Sequence, residues 1–210
     1  DKALMSSTAQ SLRSRLEAAQ TKDDLSYWDS LWSLEFKLKP VTEHDQVRKL
    51  IAEDLKRIRA AEPSSEKFEA LQSGYKQLGD KPNQRWAEDE LIRLLPKSWD
   101  ARRIVQSRFY DEHPNPKAGD TPAQRQAYQE AVLKATAEWL KEWPNDESAW
   151  STRVRTLAAI ETSTKAEIES AYKEFVKVHD QAGSYSVPPV EVSVARCYLK
   201  RGFNLEAVPV

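Results

Sequence analysis

Asp111, Glu112 and His113 stand together in a chain that has three histidines, and carboxylates beside an imidazole are metal-ligand types. Consecutive side chains do not converge, and His44 and His179 lie far away in sequence, so the triplet predicts no metal centre. Cys197 is the sole cysteine, which leaves these residues without an internal disulfide or a Cys-x-x-Cys redox pair. It shares an apolar side with Val190, Val194 and Tyr198, the setting of a buried, inert thiol rather than a nucleophile. Trp28 and Trp32 are four apart, as are Trp139 and Trp143, so each pair shares a helix face. Such a strip could bind a partner, but packing between helices is the favoured reading. Arg102, Arg103 and Arg108 give another helix a basic side, where an anion or acidic peptide competes with plain solvation, and solvation is favoured.

The motifs of common chemistries are missing. The sequence has no Gly-rich phosphate loop, Gly-x-Ser-x-Gly elbow, His-Glu-x-x-His pair or nucleotide-binding fingerprint. Carboxylates are plentiful, yet none is marked by its context as an acid/base pair. No catalytic, cofactor-binding or metal-binding residue is therefore assigned, and no cofactor is expected. A helical enzyme with a pocket lined by Trp and carboxylates is the alternative, and a structural spacer is another.

The elements that would position any site are helices. Gly accounts for 5 of 210 residues, while Leu, Ala, Glu, Lys and Arg abound. The 32 basic and 33 acidic side chains give a net charge of -1, which offers no general attraction to nucleic acid. No apolar run approaches the roughly 20 residues of a membrane span. The chain starts at Asp1 rather than Met, as expected after removal of a signal peptide or of other upstream residues.

The clearest unit lies between Glu66 and Trp99. Phe68, Leu71, Tyr75 and Leu78 line one helix, Gly79-Asp80 breaks it, and Pro82 fits the first turn of the next. Ala87, Leu91, Leu94 and Leu95 form the second stripe, which Pro96 ends. Upstream, a thin stripe (Leu4, Leu12, Leu16, Ala19) predicts a terminal capping helix. Asp23 or Asp24 is expected to cap a helix holding Leu25, Trp28, Leu31, Trp32 and Leu34, ended by Pro40. Thr42 and Asp45 resemble a capping box for a helix with Val47, Leu50, Ile51, Leu55 and Ile58 inward. Its other face, Asp54 included, mixes both signs and reads as solvated.

Downstream, Ser98 is expected to cap a helix with Trp99, Ile104, Val105 and Phe109 inward. Residues 113–122, with three prolines and a glycine, form the longest loop and a candidate contact element. Thr121, Pro122 and Gln124 start a helix with Tyr128, Ala131, Val132, Ala135, Trp139 and Leu140 on one side. Asn145 or Asp146 caps the next, where Ala149, Trp150, Val154, Leu157 and Ala158 face inward. Thr164 and Glu167 form a capping box for a helix with Ile168, Ala171, Tyr172, Phe175 and Val176. After a loop at 181–187, Pro189 opens a final helix that Gly202 stops.

The predicted fold is all-α, a right-handed α-solenoid of about five helical hairpins, with residues 1–202 as the repeat domain and 203–210 as linker or tail. The 34-residue hairpin resembles the tetratricopeptide repeat at Phe68, Leu71, Tyr75, Gly79-Asp80 and Pro96. It departs where Gln84 and Glu88 replace small and aromatic residues. Ala149 and Trp150, the latter six residues after Pro144, fit a second unit, where Arg153 breaks the expected leucine. The chain is also similar to the helical region that precedes the thioredoxin-like domain of bacterial TlpA-type redoxin proteins. Trp139–Trp150 (WLKEWPNDESAW), Tyr185–Pro189 (YSVPP) and Tyr198–Gly202 (YLKRG) carry that likeness. It implies an exported or periplasmic bacterial protein whose redox domain lies beyond Val210, although one cysteine fits a cytoplasmic protein equally. The expected function is a protein-interaction or accessory role toward a protein or peptide partner.

Overall fold

The computed structural model describes residues 2–18, 25, 27–182 and 189–203, whose regular elements are all helices, with no strand among them. Among the described residues ten α-helices follow one another: α1 Lys2–Ala18, α2 Trp28–Leu38, α3 His44–Ala60, α4 Ser65–Leu78, α5 Lys81–Leu94, α6 Trp99–Glu112, α7 Pro122–Glu142, α8 Glu147–Ala159, α9 Lys165–Ala182 and α10 Pro189–Arg201. They divide into two compact units, Asp1–Ile104 and Val105–Val210.

Within the first unit each helix packs on its successor through α5, and α2 also touches α4. Trp32, Leu31, Ile51, Ile58, Leu71 and Leu91 are its fully buried centre, so the Trp28/Trp32 strip is core. The α4–α5 hairpin forms as its sequence dictates. Ser64 accepts from the Lys67 N–H, Gly79 takes the left-handed conformation (φ 72°), and Asp80 caps α5 with Pro82 in its first turn. Glu88 is buried in this hairpin and satisfied by donors from Gln84 (2.7 Å) and Gln72 (3.4 Å). The polar residues that depart from the repeat pattern thus bond to one another.

Several expectations fail here: Leu50, expected inward, is 37% exposed, and four others differ as follows. Thr42 does not cap α3: Val41–Glu43 forms a 3₁₀ turn, no side chain caps the helix, and Asp45 pairs with Arg48 instead. Asp54 is 1% exposed rather than solvated, because Arg13 and Trp32 both donate to it. Leu95 is exposed beyond the last turn of α5, and Trp99 is 61% exposed, its outward ring covered by the Arg103 guanidinium at 5.3 Å. Ala101 and Ile104 fill the inward side of α6. Asp23 and Asp24 lie outside the described residues.

Arg13 joins α1 to α2 and α3. Its guanidinium donates to both Glu35 oxygens at 2.9 Å and to both Asp54 oxygens at 3.1 and 3.2 Å. Burial alone would lower its pKa, but the bonds to Glu35 and Asp54 outweigh burial and raise it. The cation is locked into a scaffold.

In the second unit α7 packs on α8, α8 on α9, and α10 on α8. Phe175, Tyr198, Ile168, Val154 and Val190 are buried together, and Cys197 is buried beside them. Burial, with Glu169 adding its negative charge, pushes the Tyr198 phenol up to about 12. Capping follows the sequence at three starts. Thr121 and Gln124 form a complete capping box, Thr164 and Glu167 exchange the same bonds, and Asp146 accepts from the Ser148 and Ala149 N–H groups. Gly202 ends α10 at φ 65°. Of the predicted loop at 181–187, Gln181 and Ala182 belong to α9, and of the predicted tail at 203–210, Phe203 packs edge-on against Tyr198; residues 183–188 and 204–210 lie outside the described residues.

Candidate functional site

α7 and α8 are successive helices joined by a short turn at Pro144–Asp146, and so run antiparallel. Arg125, Tyr128, Gln129 and Val132 follow a 0, 3, 4, 7 spacing on α7, and Thr152, Arg155, Thr156 and Ala159 repeat it on α8. The two faces meet in an open groove of about 530 Å³, closed at one end by Tyr110 of α6 and by Asn115 and Pro116 of the following loop. Val132 is its buried floor. That volume falls in the range of small-ligand and side-chain pockets.

The walls are held from behind. Phe109 packs edge-on against Trp139 at 5.3 Å and stacks on His113 at 4.4 Å, which fixes the end of α6 and the neighbouring Tyr110. The predicted contact loop folds back onto α7, since Tyr128 Oη donates to Asn115 Oδ1 and Arg125 Nη2 donates to the Ala118 carbonyl at 3.1 Å. Asp120 tightens its tip by accepting from the Lys117 N–H at 2.6 Å. Burial, with Tyr110 nearby, raises the Tyr128 phenol, so it stays a neutral hydroxyl at physiological pH.

Electrostatics separates this groove from two other cavities. Its lining has two guanidinium groups and no carboxylate. Arg125 bonds only the Ala118 carbonyl and Arg155 only the Ser151 carbonyl at 3.4 Å, so neither meets an acid among the described residues. The larger cavity between α1, α2 and α3, about 770 Å³, has its charge spent, because Arg13 is bonded by Glu35 and Asp54. A smaller one of about 340 Å³ is lined by Asp29, Glu69, Lys76, Asp100 and Arg103. There Asp29 accepts from the Ser73 hydroxyl and Asp100 pairs with Arg103 at 3.6 Å.

Glu69 in that smaller cavity titrates above the ordinary carboxylate value, first through burial and then through Asp100 and Glu66, with Arg103 opposing. A carboxyl whose folded pKa is raised favours folding fully below its unfolded value, and that stability is lost as pH rises through the folded value. Glu69→Gln, which cannot ionise, is therefore expected to raise Tm at pH ~7 by about 1–2 °C and to leave it unchanged at pH ~3. Thermal melts at the two pH values check this, and a gain of equal size at both would show that the charge is not the cause.

No family model, curated protein or solved structure matches the chain. Its function has to be argued from its own residues.

The sequence-stated candidates distribute as follows. Of the predicted contact loop at 113–122, Asn115 and Pro116 line the groove. Arg103 belongs to the smaller cavity, and Arg102 and Arg108 stand on the same helix outside the groove. Asp111, Glu112 and His113 do not gather: among the described residues no three His, Cys, Asp or Glu side chains could hold a metal ion. Trp139 is core. Arg125, Arg155, Gln129 and Thr152 were not anticipated, although their matched spacing on consecutive helices is a signal the sequence carries.

Proposed function

We propose that this chain is a non-catalytic helical-repeat module for protein–protein interaction, with the groove between α7 and α8 as its partner-binding surface. The observation that carries this reading is an open groove whose two arginines have no internal acid. Stacked hairpins as the underlying architecture are supported by the pairing of helices two apart, α2 with α4 and α8 with α10. On this reading the helical hairpins stack with the right-handed turn of tetratricopeptide arrays. Selection of peptides from a phage-displayed library against the whole chain tests the function. Enriched peptides are expected to lose about tenfold or more in affinity for Thr152→Trp, which fills the groove, with Tm unchanged. Enriched peptides that bind Thr152→Trp as tightly would sink the assignment.

The accessory role beside a thioredoxin-like domain in an exported bacterial redox protein rests on the sequence likeness at Trp139–Trp150 and Tyr198–Gly202. Sequencing the C-terminus of the natural protein tests it, a Cys-x-x-Cys domain after Val210 being the expected result and its absence the refuting one. The enzyme reading has one observation in its favour, the raised Glu69. It is disfavoured because the flanking Asp29 and Asp100 are engaged by Ser73 and Arg103.

A further inference from the structure

Five arginines elsewhere among the described residues are paired with acids, whereas Arg59, Arg153 and Arg201 bond a tyrosine hydroxyl or backbone carbonyls. Arg13 is held by Glu35 and Asp54, Arg57 by Glu17, Arg48 by Asp45, Arg93 by Glu90 and Arg103 by Asp100. With 32 basic and 33 acidic side chains overall, a place where two guanidinium groups face one cavity without an acid is a local departure from balance. Both are exposed, and each has donors left over. Arg125 is anchored on the loop through one Nη, and Arg155 uses its Nε. The remaining N–H forks come from different helices.

Building on the reading of this groove as an interaction site, we propose that its ligand is an extended peptide segment bearing acidic side chains, Asp or Glu, that pair with Arg125 and Arg155. The neutral lining then has a role on each side of the carboxylates. Asn115, Gln129 and Thr152 meet the peptide backbone, and Val132 and Ala159 with the Tyr110 and Tyr128 rings take an apolar neighbour of the acidic residue. Guanidinium forks match carboxylates in bidentate geometry, which gives the groove selectivity for Glu over its isostere Gln. A near-neutral chain with a basic groove of this size also suits a short acidic segment better than a polyanion, which needs a continuous basic surface.

The test uses two pools of N-acetylated, C-amidated octapeptides, one with Glu at the two central positions and the other with Gln, the remaining positions randomised over uncharged residues. Each is titrated into the whole ¹⁵N-labelled chain while the Arg125 and Arg155 Nε–Hε and the Gln129 and Thr152 amide resonances are followed. The Glu pool is expected to shift these signals with about tenfold or more greater apparent affinity than the Gln pool. That preference should shrink between about 50 mM and 300 mM salt, and it should vanish in the Arg125→Gln/Arg155→Gln double variant. Those exposed substitutions should leave the far-UV circular dichroism and Tm unchanged, so a lost preference reports binding rather than folding. Equal shifts from both pools at the groove would overturn the acidic specificity while leaving the groove a peptide site. Shifts confined to other residues, or none from either pool at about 1 mM, would overturn both this inference and the interaction function.

Discussion

Trp32→Ala is expected to destabilise the first unit by about 3–5 kcal/mol, the range for truncating a fully buried large aromatic side chain. Two losses combine at this residue. The indole is 0% exposed, with the Trp28 ring 6.1 Å away and Gly74 beneath it, so its removal leaves a cavity that close-packed helices fill only in part. Its Nε1 also donates to Asp54 at 3.0 Å, and Asp54 is a buried carboxylate that otherwise has only Arg13. Trp32→Phe separates the two losses, because it keeps much of the ring and removes the donor, at an expected cost of about 1–3 kcal/mol. Urea titrations followed by far-UV circular dichroism give both values. A cost below about 1 kcal/mol for Trp32→Ala would mean that the first unit does not depend on this contact.

The ends of the helices were written in local sequence, and the partners of their buried polar groups were not. Thr121 with Gln124, Thr164 with Glu167, Asp80, Asp146 and Gly79 each fix a boundary through bonds or dihedral angles that span four residues or fewer, so a linear reading finds them. Thr42 shows the limit of such reading, since a 3₁₀ turn at Val41–Glu43 moved the helix start past it. Asp54 sits among charges at a position that looks solvated, and what buries it lies 41 residues upstream at Arg13 and 22 upstream at Trp32. Trp99 looked like core because it is large and apolar, yet α6 turns Ala101 and Ile104 inward instead. The groove was half legible. Its loop was visible in the prolines at 114, 116 and 122, but Arg125 and Arg155 look like ordinary solvated charges. What sets them apart is that both line one groove whose lining has no carboxylate and that neither pairs with an acid among the described residues, a property of tertiary structure alone.

Gly74→Val is expected to cost the first unit about 3 kcal/mol or more, whereas Gly74→Ala should cost clearly less. A glycine inside a helix is itself unfavourable by about 1 kcal/mol relative to alanine, so its presence in α4 needs a reason. Close approach supplies one. A Cβ at this position would lie 2.6 Å from Leu55 Cδ2, 2.8 Å from Trp32 Cη2 and 3.0 Å from Trp32 Cζ3. The Leu55 methyl is the free end of a flexible side chain and can move. The indole cannot move so easily, because its Nε1 is tied to Asp54, which Arg13 in turn holds. Alanine therefore meets a partly yielding site and recovers helix propensity, while valine adds two methyl groups against the fixed ring and brings the β-branched penalty in a helix. The argument also predicts coupling. With Trp32→Phe in place the ring is smaller and no longer tethered, so the combined cost with Gly74→Ala should fall below the sum of the single costs by about 0.5–3 kcal/mol. A four-corner cycle of urea titrations measures this term. Strict additivity, or a valine variant as stable as the alanine one, would mean that Trp32 does not set the distance between α2 and α4.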